Sequence, residues 1–184
     1  PPASSSAASD VYKRQVLRRE SLQTRPTTAQ KGGICLGAHV AVDTVRSVGA
    51  NVAAVREWDS NGTNFGYDKN TGHVAGEFGH NDFYPVAIAA GREKGFDGNR
   101  TLRMMLLIDE IRGRLAEVFP LRKYGIDHVH HGAVACAAAF TAALGGCPLQ
   151  IESAIGLVVA HYVPFRAIRA GDQLSDSKGS SAAF

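Results

Sequence analysis

TLRMMLLIDEIRGRLAEVF, residues 101–119, carries the plainest structural signal in the chain. Apolar side chains recur at Met104, Ile108, Ile111, Leu115 and Val118. Steps of three and four place them on one face of a helix. Glu110 and Arg114 stand one turn apart as a surface ion pair, and Pro120 supplies the stop. Downstream, HVHHGAVACAAAFTAALGG (128–146) reads as a helix of small residues ended by Gly145-Gly146. So much alanine means that neighbours approach closely, so this helix is expected at the centre. IESAIGLVVAHYV (151–163) reads as one more buried helix, stopped at Pro164.

Upstream the same reasoning continues. Asn81 and Asp82 are expected to cap a helix with Tyr84-Pro85 in its first turn and Gly91 as its stop. VRSVGANVAAVREW (45–58) has apolar residues at 45, 48, 52, 55 and 58, again a helical face, weakened by Gly49. Trp58 and the Met104-Met105 pair are most simply core. Between these helices lies DSNGTNFGYDKNTGHVAGEFGH (59–80), with five glycines and little periodicity. It reads as a loop, and loops of this length inside compact domains are usually functional or disordered. Phe65, Tyr67 and Phe78 favour an ordered one. The fold class is therefore all-α, a helical bundle-like domain, with at most a token strand near the start. No internal repeat is present.

Composition narrows the function. Lys+Arg is 20 against 17 Asp+Glu, and residues 1–20 hold four of the basic and two of the acidic side chains. The body is nearly neutral, which argues against a nucleic-acid partner. No apolar run reaches the ~18–20 residues of a membrane span. Cys35, Cys136 and Cys147 are odd in number and form no CxxC, as in a reduced compartment. Residues 1–25 are Ser-, Ala- and Arg-rich and read as a disordered or artefactual leader, with a partial helical domain over 26–184. Both ends read as cut.

Reactive groups concentrate in four places: Arg56, Glu57 and Asp59 with Thr63; His80 with Asp82; Asp127, His128, His130 and His131; and Lys178 among hydroxyls in SDSKG. His and Asp together offer a proton donor and acceptor near neutral pH. Helix N-termini, here after His80 and near Lys178, favour carboxylate ligands. The inventory suits elimination or decarboxylation on a small polyacid. The blander alternatives are Asp59 as a helix cap, His80 as a loop histidine on a backbone carbonyl, and Lys178 as a solvated lysine. DHVHH offers too few ligands for a metal by itself. No P-loop, GxGxxG, GxSxG or HExxH occurs.

REWDSNGTNF, GEFGHNDFYPVAIAAG, DEIRGRLAEVFPLRKYGIDHV and LSDSKGSSAA, in that order, resemble the N-terminal part of the MmgE/PrpD family, which includes 2-methylcitrate dehydratase and cis-aconitate decarboxylase. The resemblance covers residues ~30 to 184. It implies a large helical domain whose partner lid domain lies later in a full-length chain. It also implies a homodimer, a small anionic carboxylate substrate, and no metal or organic cofactor. The family's Asp-x-x-x-Thr motif falls on Asp59 and Thr63, its motif histidine on His80, and its carboxylate-binding lysine on Lys178. His80 is followed by Asn81-Asp82 where the family commonly has Pro-Ser. The histidine of the next site segment falls on His128, with His130 and His131 as the other candidates. What the resemblance implies is a cytoplasmic lyase, or a mitochondrial one in a eukaryote. Its reaction would be dehydration of a 2-methylcitrate-like acid, or decarboxylation or epimerisation. Asp59 and His80 would handle protons, and Thr63, His128 and Lys178 would hold carboxylates. The alternative from another class is an inactive fragment or partner-binding helical module.

Overall fold

The structure, a computed structural model, describes residues 15–58, 61–65, 70 and 77–166, the strands at 61–65 and 77–80 by their backbone. Helix α1 covers 15–22. It is followed by α2 (Thr44–Trp58), β1 (Asn61–Phe65), β2 (Glu77–His80) and a 3-10 turn, η1 (Asn81–Phe83). Then come α3 (Tyr84–Lys94), α4 (Gly98–Val118), a second 3-10 turn, η2 (Leu121–Tyr124), α5 (Val129–Leu144) and α6 (Pro148–His161). The domain is helical, as the periodicities predict.

Helix α5 is the hub. It packs against α3, α4 and α6, and Ala135 and Ala139 are fully buried. Small side chains let these helices approach closely enough to bury Ile108, Val52 and Met104 around them. The closest approach is at Gly132. A Cβ there would stand 1.9 Å from Cζ of Phe83. Only a residue without a side chain fits under that ring.

Several boundaries differ from the sequence reading, each for a local reason. Helix α3 runs past Gly91 and ends on Gly95, whose φ of 68° takes the left-handed turn. Gly91 instead lies inside the helix, where a Cβ would meet the Thr101 hydroxyl at 2.6 Å. Asp82 does not cap α3: Phe83 is the N-cap residue and makes no side-chain cap, while Asp82 is buried. Helix α4 starts earlier, at Gly98, because the Asp97 carboxylate accepts from the Arg100 amide at 2.8 Å. Its buried stripe runs Met104, Ile108, Arg112, Ala116, with Val118 exposed. In α2, Val45 and Trp58 are open to solvent; Trp58, expected in the core, is 75% exposed. Helix α6 has no buried residue, and Leu149, Leu157 and Val159 face solvent rather than a core.

The stretch read as a loop contains an antiparallel strand pair, β1 with β2. NGTNF and EFGH lack the β-branched alternation that marks a strand in sequence. The token strand expected near the start is a single bridge between Gly33 and Val42. That region is tied to α3 by Glu93. Its carboxylate accepts from the amides of Lys31 (2.9 Å) and Gly32 (3.0 Å) and from the Thr44 hydroxyl. Burial alone would raise Glu93, but these bonds and Arg92 together hold it below its ordinary value. Part of the stretch read as a leader has a place in the fold: the Ser21 hydroxyl donates to the Arg46 carbonyl at 2.9 Å.

Two glycine substitutions should act in opposite directions. Gly132→Ala overpacks against Phe83 and should destabilise by about 1–3 kcal/mol. Gly49→Ala has no atom within 4 Å of the added methyl and should stabilise α2 by roughly 0.5–1 kcal/mol. Urea unfolding midpoints measure both, and equal shifts of one sign would contradict the packing described.

Candidate functional site

The last turn of α2 brings in Arg56, and η1 brings in Asp82. Both are buried, and Arg56 Nε lies 3.5 Å from Asp82 Oδ2. Charges are taken out of water only when paired. A second arginine, Arg112 of α4, enters the same seam. Its guanidinium carbon lies 4.7 Å from the centre of the Phe83 ring, and Nη1 is 3.2 Å from Asp109 Oδ1. The Tyr84 hydroxyl donates to Asp109 Oδ2 at 2.6 Å. Burial, then that carboxylate, pushes the Tyr84 phenol up to about 12. Burial pulls Arg112 below its usual value against the opposing pull of Asp109 and Asp82.

The second component is the start of α5. Asp127 is fully buried. Its Oδ1 lies 3.2 Å from His128 Nδ1 and accepts from the Val129 amide, and its Oδ2 is 3.6 Å from Arg166 Nη1. The chain after α6 returns here: the Asp127 amide donates to Pro164 O and the Arg166 amide to Gly125 O, each at 2.8 Å. His130 Nδ1 lies 2.8 Å from the Tyr162 carbonyl, so this nitrogen carries the proton. His131 is buried, and neither ring nitrogen has a hydrogen-bond partner among the described residues. Burial, then His130 and Arg112, lowers His131 to about 4. It is neutral at pH 7.

The third component is the strand pair. Asn61 stands opposite His80, Asn64 opposite Phe78, and Phe65 opposite Glu77. The register slips by one between Asn61 and Asn64, the stretch that contains Thr63. Such bulges are over-represented beside active sites. Strand β1 packs on α4.

These components meet at η1. It follows His80 directly, pairs with Arg56 through Asp82, and presses Phe83 onto Gly132 one turn into α5. Three of the four reactive segments therefore come together: the end of α2, the residues after His80, and the start of α5. His128 stands at the start of α5, against Asp127. Thr63 and His80 are placed by their backbone in β1 and β2. Asp59 and Lys178 lie outside the described residues. Arg112 was missed in sequence. Its signal was its position, four residues after Ile108 on the buried stripe of α4.

A cleft of about 340 Å³ lies close by, lined by residues such as Val52, Phe83, Val129, Cys136, Val158 and Tyr162. Its apolar walls do not suit a polyanion. Burial pushes the Cys136 thiol up to about 12, so it stays protonated and unreactive. Among the described residues no three His, Cys, Asp or Glu side chains gather as metal ligands.

The model of the MmgE/PrpD N-terminal domain matches residues 19–184. The chain belongs to the MmgE/PrpD family. No curated protein matches it. MmgE/PrpD proteins include dehydratases and other lyases, and within this MmgE/PrpD domain the junction at η1 joins the end of α2, the strand pair and α5. No described helix is long and apolar enough to cross a membrane.

The state of His131 has a measurable consequence. Its folded value of about 4 lies below the ordinary 6.5, so the unfolded chain takes up the proton first as pH falls. Stability should drop between pH 6.5 and 4 and level off below, by about 3 kcal/mol from this group. His131→Leu should remove that component from the pH dependence of urea unfolding. A variant with the wild-type slope would mean that His131 is protonated in the folded state.

Proposed function

We propose that this chain supplies the helical part of the active site of a metal-independent lyase acting on a small di- or tricarboxylate. The specific reaction proposed is a 2-methylcitrate dehydratase-like elimination of water. The observation that supports it is the junction at η1, where the end of α2, the strand pair and α5 approach one another. In this scheme Asp59 and His80 take the proton from carbon and return one to the departing hydroxyl, which leaves as water as the double bond forms. Thr63, His128 and Lys178 hold the carboxylates and stabilise the enolate-like charge. The N-terminus of α5, beginning at Val129, lends a positive end to the same place. Asp127 against Nδ1 orients the His128 ring.

Decarboxylation and epimerisation pass through the same kind of anion, and the lid contacts decide among them. The whole enzyme is proposed to be a homodimer in which residues 26–184 form part of the helical domain. It would work in the cytoplasm, or in the mitochondrion of a eukaryote, without a metal or organic cofactor. A non-catalytic, partner-binding role has one observation in its favour, the solvent-facing apolar side chains of α6.

Titration calorimetry with citrate-like acids separates the two. A lyase domain should give saturable heat with at least one of them, and silence with every acid would favour the partner-binding role. In a protein that carries this domain together with its lid, Asp59→Ala should lower kcat by about 10²–10⁴ while the far-ultraviolet circular dichroism is unchanged. Near-normal turnover would remove Asp59 from the mechanism.

A further inference from the structure

The 59–80 segment holds both proposed proton-handling residues, yet its own sequence specifies its closure weakly. It has five glycines, and its short strand pair is bulged between Asn61 and Asn64. Short strands without an apolar alternation specify their register weakly. Something outside the strands has to determine where the two ends meet.

Arg56 lies three residues before Asp59, and Asp82 two residues after His80. They are 3% and 1% exposed, and Nε and Oδ2 are 3.5 Å apart. We propose that Arg56 and Asp82 are positioning residues, a buried ion pair that ties the end of α2 to η1 and thereby sets the placement of Thr63 on β1 relative to His80 on β2. The inference rests on the lyase reading above for its effect on turnover, and on the geometry alone for the clamp itself.

Two features brace the clamp. Arg112 draws on Asp82 from α4 and is itself held by Asp109. Phe83, the residue after Asp82, is wedged over Gly132 and cannot slide along α5. The pair therefore joins the buried end of a helix to a turn packed against α5. Buried ion pairs contribute little net stability compared with apolar replacements, but breaking one leaves an uncompensated charge. A pair of this kind suits a register device better than a source of stability. Misplacing a reacting group by about 1 Å costs roughly 100-fold in rate.

The test uses the lid-bearing protein and three variants: Asp82→Asn, Arg56→Lys, and the apolar double replacement Arg56→Met with Asp82→Leu. Asp82→Asn should lower kcat about 10–100-fold with KM within about 3-fold, and Arg56→Lys should retain part of the rate. The apolar pair should regain folding stability without regaining kcat. Recovery of both together would make the pair merely structural and overturn the proposal. Amide hydrogen exchange over 61–65 and 77–80, compared with α5, reads the clamp without turnover. Asp82→Asn should speed exchange there at least about tenfold. Unchanged exchange, or unchanged kcat in folded Asp82→Asn, would also overturn it. A wild type that turns over no acid, while Asp82→Asn still loosens the strand pair, would sink the lyase reading and support the clamp.

Discussion

The contact between the Phe83 ring and the bare backbone of Gly132 governs the arrangement of this domain. It sets how close η1 comes to α5, and η1 is the piece of chain that connects the strand pair to the bundle. The same ring receives the Arg112 guanidinium. One aromatic side chain thus touches the small-residue hub and the buried charge seam. Without a glycine beneath it, Phe83 would move outward and carry Asp82 with it, away from Arg56.

The seam itself follows from the cost of burying charge. Arg56, Arg112, Asp82 and Asp109 come from α2, η1 and α4 and lie in pairs of opposite charge. A paired charge can be buried, and an unpaired one cannot without protonation changes. His131, beside Arg112, takes the other route and gives up its proton. The interior near the start of α5 is therefore polar and ordered while the cleft between α2, α5 and α6 is apolar. Two adjacent spaces of such different character explain why volume alone is a poor guide to where an anion would bind.

The helices were legible because periodicity reports burial, and α4 and α5 lie where their patterns place them. Composition revealed the central position of α5, since only small side chains permit three close neighbours. The strand pair was not legible: NGTNF and EFGH carry no period-two apolar pattern, and the packing of β1 on α4 is a contact distant in sequence. Asp82 looked like a cap because caps are usually polar and precede helices, but Arg56 lies across from it and a buried partner outweighs a solvent-exposed capping bond. Trp58 shows the limit of residue type as a burial signal. A large apolar side chain at a helix end follows the direction of the last turn, and here that turn commits Arg56 to the interior. Of the site candidates, His128 is a described side chain, buried beside Asp127. Its partnership with Asp127 was implicit in their adjacency, whereas the return of Arg166 to the same carboxylate was not.

Helix α6 leaves water in contact with Leu149, Leu157 and Val159. Apolar area in that state contributes none of the roughly 25 cal/mol per Å² that burial would yield. The domain's resistance to unfolding is thus a conditional quantity. Whatever covers α6 in the folded molecule and ignores the unfolded chain raises the melting temperature by mass action, and dilution of that cover lowers it again.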